Sequence, residues 1–180
     1  RDQKPIPDAR ISLHCWMVSG MSPAIQVTTT NADGQFEFPK RPDDASYYFV
    51  IRKVPYAAIW QKFASGEGGA NVILRPAVDT WIQVRNAAGA PLKGARIANL
   101  SIRTEENTLT YVSRGAEHLL GWEFTASDDA GRLNLPPLPE DASIDVRIDH
   151  PRWAQEKLSN LRVTAGRLDA VSLPEGVLTT

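Results

Sequence analysis

The chain has 180 residues, 42% of them hydrophobic, with 20 basic against 21 acidic side chains and a formal net charge of -1. That length suits one large domain or two small ones, and a balanced charge without lysine or arginine clusters lacks the footprint of a nucleic-acid or anionic-membrane binder. No run of about 18 apolar residues is present to insert into a membrane as a helix, and the lone Cys15 rules out an intrachain disulfide or a cysteine-rich zinc site.

The first ten residues, RDQKPIPDAR, are polar and contain no apolar signal-peptide core. Beyond them the pattern has period two. Ala9, Ile11, Leu13 and Cys15 alternate with Arg10, Ser12, His14 and Trp16, which predicts a strand with the first set facing a core. Asn31-Ala32-Asp33-Gly34 then invites comparison with a calcium loop. Counted from Asn31, however, position twelve is Pro42, which has no side-chain ligand to offer. Asn and Asp bond their own backbone and Gly accepts positive φ, so a tight turn is the simpler reading. Phe36 and Phe38 flank Glu37 on a further strand, and Asp44-Ala45-Ser46 leads into another over 48–52. The segment 57–64 is a short helical candidate, Gly66-Glu67-Gly68-Gly69 reads as a loop, and 71–74 as a strand.

A second series follows. A strand over 81–85 precedes the turn Asn86-Ala87-Ala88-Gly89, and Asp128-Asp129-Ala130-Gly131 is a turn like the first. Leu133 and Leu135 flank Asn134, Ile144, Val146 and Ile148 alternate with Asp145, Arg147 and Asp149, and 114–122 is the other short helical candidate. Short alternating strands separated by Gly, Pro, Asn and Asp indicate an all-β, antiparallel sandwich class.

The two series are copies of one unit. Pro5, Ala9, Arg10 and Ile11 line up with Pro91, Ala95, Arg96 and Ile97, each 86 residues later. Gly34, Pro39, Pro42 and Asp44-Ala45-Ser46 line up with Gly131, Pro136, Pro139 and Asp141-Ala142-Ser143, each 97 residues later. Tyr56 meets Trp153 at that same spacing, and Leu74 meets Leu173 at a spacing of 99. The step from 86 to 97 places about eleven extra residues in the second copy, near 103–127. The predicted domains are therefore 1–77 and 78–176, with 177–180 starting a following strand or forming a tail. The first copy has no counterpart of the strand at 81–85, so its sandwich is expected to lack its opening strand and to present an unpaired edge.

These residues resemble the carboxypeptidase regulatory-like domains, seven-stranded transthyretin-like (prealbumin-like) sandwiches related to Cna B-type repeats. The second copy carries the pattern as Asn86, Gly89, Pro91-Leu92, Gly94-Ala95, Asp128, Gly131, Leu133, Leu135 and Leu173-Pro174. The first carries Pro5, Ala9, Asp33-Gly34, Phe36, Phe38, Tyr56 and Leu74-Arg75-Pro76. The resemblance implies two tandem sandwiches and an extracellular or periplasmic setting as part of a larger multidomain protein. Some Cna B-type relatives crosslink themselves through Lys and Asn or Asp. No lysine recurs at matching positions here, so no isopeptide is expected.

Catalytic chemistry finds no motif. His14 and Cys15 are adjacent on a strand and point to opposite faces, so they do not form a nucleophile and base. The expected role is a non-catalytic structural or interaction module, without cofactor or metal, that binds other domains of its parent or another protein, with strand addition at the first sandwich. The alternative is a carbohydrate-binding module built on aromatics that the copies do not share. Trp16 aligns with Ile102, Trp60 aligns with Lys157, and Trp122 lies in the insertion. Trp60 with Tyr47 and Tyr48, or Trp122 with Tyr111, would make a stacking platform for a polysaccharide; the competing reading packs the same rings under loops.

Overall fold

A computed structural model of the chain describes residues 4–17, 20–22, 24–39, 47–63, 71–104 and 109–175. Its regular elements are β-strands apart from one short 3-10 turn, Glu117–Leu120, and they fall into two compact units, Arg1–Arg75 and Pro76–Thr180. Asp44-Ala45-Ser46, the 66–69 loop, Glu105, Glu106 and 176–180 lie outside the described residues.

In the first unit β1 (Arg10–Met17) is central. It pairs antiparallel with β2 (Gly20–Met21) and β3 (Gln26–Thr29) on one side and with β4 (Tyr47–Arg52) on the other. Strand β5 (Ile59–Phe63) completes the sheet beside β4, where the sequence had suggested a helix. The predicted alternation holds on the core face: Ala9, Ile11 and Leu13 are buried with Tyr47, Phe49 and Ile51. Against them pack Ile6, Phe36, Phe38, Val72 and Leu74, all only partly buried. The expected strands at 36–38 and 71–74 do not form, and both segments run without a ladder partner.

The second unit is a complete sandwich. One sheet has the order β13 (Trp153–Arg162), β12 (Ser143–His150), β8 (Arg96–Arg103), β9 (Leu109–Ser113). The other places β7 (Thr80–Asn86) between β10 (Arg132–Asn134) and β14 (Gly166–Leu173). A two-stranded pair, β6 (Ala77–Val78) with β11 (Leu138–Pro139), lies beside them. Ile82, Val84, Leu133, Val171 and Leu173 are buried from one sheet, and Ile97, Leu100, Ile144, Val146 and Ile148 from the other.

One bulge decides the inward face of β8. Ile97 pairs with Ile148 and Asn99 with Arg147, which leaves Ala98 as an extra residue. Strict alternation would have sent Asn99 and Ser101 inward after Ile97; the bulge turns Leu100 and Ile102 inward instead. Arg114 holds the distorted strand, donating from Nε and Nη2 to the carbonyl of Ile97 at 3.1 and 3.0 Å while its Nη2 reaches Asp149 at 2.5 Å. Because of the bulge, Ile102 occupies the place of Cys15 rather than that of Trp16. Each sits opposite the matching residue of its neighbour strand, Cys15 opposite Tyr47 and Ile102 opposite Ile144.

Candidate functional site

The acidic-glycine turns are hydrogen-bonded turns. Asn31 Oδ1 accepts from the amides of Asp33 and Gln35, and Asp128 Oδ1 accepts from the amide of Arg132. Gly34 and Gly131 take φ of 70° and 75°, the left-handed region the turn requires. A hydroxyl one residue ahead of each turn closes the same motif. Thr30 Oγ1 accepts from the Ala9 amide and donates to the Ile6 carbonyl; Ser127 Oγ accepts from the Ala95 amide and donates to the Leu92 carbonyl. Asn31 Oδ1 and Asp128 Oδ1 are engaged with backbone, Asp129 pairs with Lys93 at 2.9 Å, and no group of three metal-ligating side chains occurs among the described residues.

The aromatic candidates separate. Tyr47 faces the core at 7% exposure, while Tyr48, its neighbour on β4, faces the other way and meets Trp60 edge-to-face at 5.7 Å and 80°. Trp60 opposes Val50, so it lies diagonally across from Tyr48, and it is itself only 8% exposed. Trp122 is buried to the same 8% beside the 3-10 turn, whereas Tyr111, on β9, is 51% exposed. Neither tryptophan offers a face to solvent, and the proposed partners Tyr47 and Trp60 lie on opposite faces of one sheet. Tyr56 and Trp153, which recur in register, are half-buried. Trp81 stands under the Arg132 guanidinium, 5.0 Å from its ring centre.

A polar cluster went unnoticed in the sequence. Ser12 and His14 face away from the core yet are buried, His14 to 3% exposure. His14 Nδ1 lies 3.0 Å from the Ser22 carbonyl and Nε2 lies 3.0 Å from Ser12 Oγ. The carbonyl only accepts, which places a proton on Nδ1. A nucleophile and base share this spacing, but here the pair is closed to substrate. Ser22 also takes the Cys15 amide on its Oγ, so the cluster pins the irregular strand edge to β1. Cys15 itself points to the opposite, core side. The only sequence signal was a run of polar residues on the outward face of an otherwise apolar strand.

Segments 35–39 and 71–75 are where the described residues of the first unit differ most from the second. In the second unit their counterparts, β10 and β14, flank β7, antiparallel on one side and parallel on the other. Leu92, Leu133, Leu135, Val171 and Leu173 are consequently buried. The corresponding Ile6, Phe36, Phe38, Val72 and Leu74 are only half covered. Larger rings compensate in part: Phe38 stacks on Phe49 at 5.4 Å, and Phe36 meets Phe49 edge-on at 5.5 Å, where the second unit has Leu135, Leu133 and Val146.

Among the described residues no helix is long and apolar enough to cross a membrane. No protein-family model matches the sequence, and no curated protein matches it. Among solved structures, the shaft pilin SpaA of Lactobacillus rhamnosus GG is similar at 13% identity and a TM-score of 0.38, over 98% of this chain and 88% of that one. GBS52, the minor pilin of Streptococcus agalactiae, is similar at 14% identity and 0.39, over 98% and 87%. A streptococcal ancillary pilin is similar at 12% identity and 0.39, over 98% and 60%. Likenesses this remote carry no argument about what the chain does.

Proposed function

We propose that the chain is a non-catalytic structural and interaction module, two copies of one sandwich in tandem, within a larger extracellular or periplasmic protein. The observation behind this reading is the hydroxyl-and-turn motif, whose hydrogen bonds recur atom for atom at Thr30 and Ser127. Such modules space or brace their neighbours and bind protein through sheet edges. The setting outside the cytoplasm rests on the family resemblance alone.

Limited proteolysis tests the two-sandwich reading: protected fragments covering 1–75 and 76–180, each with a β-type circular dichroism spectrum, are expected, and digestion of either region to small peptides without a protected fragment overturns it. The polysaccharide alternative has less support, since Trp60 and Trp122 are buried and Tyr111 alone of the five aromatics is well exposed. Retention on a glycan array that is lost in Tyr111→Ala would revive it.

A further inference from the structure

We infer that the outer face of the β10–β7–β14 sheet binds an acidic segment of another protein, whose carboxylates sit on Arg85, Arg132 and Arg167. This deepens the reading of the chain as a protein-binding module and rests on it.

Alternation along the strands sets up the face. Ile82, Val84, Leu133 and Val171 turn inward and are buried, so Trp81, Gln83, Arg85, Arg132 and Asn134 turn outward. Arg132 opposes Gln83 and Asn134 opposes Trp81 from one neighbouring strand, and Arg167 opposes Trp81 from the other. Strand spacing and rise put the Cα of Arg132 about 8 Å from that of Arg85 and about 12 Å from that of Arg167. Arg132 and Arg167 are exposed, and Arg85 is half-buried.

Neutral groups hold two of these arginines. Arg132 donates from Nε to Asn134 Oδ1 at 2.9 Å, and its guanidinium lies over the Trp81 ring, 5.0 Å from the ring centre. Arg85 donates from Nη1 to the Gly89 carbonyl at 2.8 Å. Such partners orient a guanidinium without cancelling its charge. None of the three arginines forms an ion pair with a described residue. The carboxylates of the adjoining turn are engaged, Asp128 with the Arg132 amide and Asp129 with Lys93. The four-stranded sheet differs: there Asp141, Asp145 and Asp149 pair with Arg162, Lys157 and Arg114.

Oriented, uncompensated guanidinium forks bind carboxylates through paired N–H···O bonds, and side chains already held in place lose little freedom on binding. An extended segment with acidic residues at alternate positions presents a carboxylate about every 6.8 Å along one face, which suits the spacing of Arg85 and Arg132. A sugar ring is served less well, because the Arg132 guanidinium already covers the Trp81 ring.

The test is a fluorescence-anisotropy titration of the 180-residue protein at low salt with labelled Glu-Ser-Glu-Ser-Glu-Ser-Glu-Ser. The same peptide with Gln for Glu, a heparin oligosaccharide and polygalacturonate serve as comparisons. Saturable binding is expected, about tenfold or more tighter than that of the Gln peptide. Arg85→Gln, Arg132→Gln and Arg167→Gln should each weaken it about fivefold, and Arg132→Lys nearly as much, because an ammonium lacks the fork. Arg147→Gln, on the outer face of the other sheet, should leave it unchanged. Amide shifts on binding should concentrate at 81–85, 132–134 and 167–172. Absence of binding, equal weakening by Arg147→Gln, or shifts confined elsewhere overturns the proposal. So does tighter, arginine-dependent binding of either polysaccharide, or self-association that Arg132→Gln abolishes, since the face would then belong to a glycan or a second copy. Failure here with both protected fragments present in the proteolysis experiment removes only this face and leaves the two-sandwich reading standing.

Discussion

The two units repeat one turn motif, and the second carries a strand, β7, that has no counterpart among the described residues of the first. Where β7 is present, the facing leucines and valines are sealed. Where no described residue takes its place, Phe36, Phe38, Val72 and Leu74 remain half covered, and neither 35–39 nor 71–75 becomes a strand. Strand formation in a sandwich is thus a property of the pair. A segment with good alternation becomes a ladder strand where a partner takes up its backbone bonds, as β7 does for β10 and β14.

Truncating matched core positions tests that difference most strongly. Leu173→Ala should cost about 3 kcal/mol and Leu74→Ala about half that, because a fully buried leucine leaves a cavity while a half-covered one has less to lose. Urea unfolding followed with unit-specific probes measures both, and equal costs would mean that the first unit is as well sealed as the second.

The turn glycines extend the contrast. A Cβ on Gly131 would sit 2.3 Å from the Val84 carbonyl oxygen, whereas on Gly34 its nearest neighbour is the Ile6 nitrogen at 3.0 Å. Both substitutions carry the positive-φ penalty, but only one collides with β7. Gly131→Ala should cost about 2 to 3 kcal/mol and Gly34→Ala about 1 to 2 kcal/mol. Thermal denaturation of the two variants side by side gives the difference.

The hydroxyl motif should instead show the units behaving alike. Thr30→Val and Ser127→Ala each strand a buried amide and should each cost about 2 kcal/mol, with Thr30→Ser recovering most of the loss. Unequal costs would show that the repeated motif does not do the same job twice.

The smallest effect concerns a feature of the second unit alone. At the β12–β13 irregularity Asp145 Oδ1 accepts from the Asn160 amide at 2.9 Å, and Lys157 lies 3.3 Å from Oδ2. The backbone amide first, then Lys157, holds the Asp145 carboxyl below the usual carboxylate range against a partial opposing effect of burial. A lowered folded-state value stabilises above the ordinary aspartate range and loses that contribution as the pH falls through and below it. Solvent screening limits the contribution to about 0.5 kcal/mol. Asp145→Asn should therefore flatten the acid limb of the stability curve slightly. An unchanged limb would show that the contact has no weight.

Alternation and turn chemistry were enough to read the all-β class, the paired turns and strands β1, β4, β7, β10 and β12 from the residues themselves, because both depend on local backbone preferences that repeat along the chain. The Asn31 and Asp128 turns were legible for the same reason, since Asx side chains bond to amides only a few residues away. The fate of the aromatics was not legible: a tryptophan on an outward face reads as exposed until its neighbours across the sheet are known, and Tyr48 and Val50 are those neighbours for Trp60. The Ala98 bulge and the burial of His14 also belonged to the tertiary structure. Each depends on which residue of a distant strand sits opposite, and pairing across the sheet is set by summed packing that no local pattern encodes. The sequence by itself determined two copies of a strand-and-turn pattern. Only the tertiary structure decided which side chains the pairing seals, turning Leu100 and Ile102 inward past the Ala98 bulge and burying Trp60 and His14 on outward faces, because those outcomes depend on partners distant in the chain.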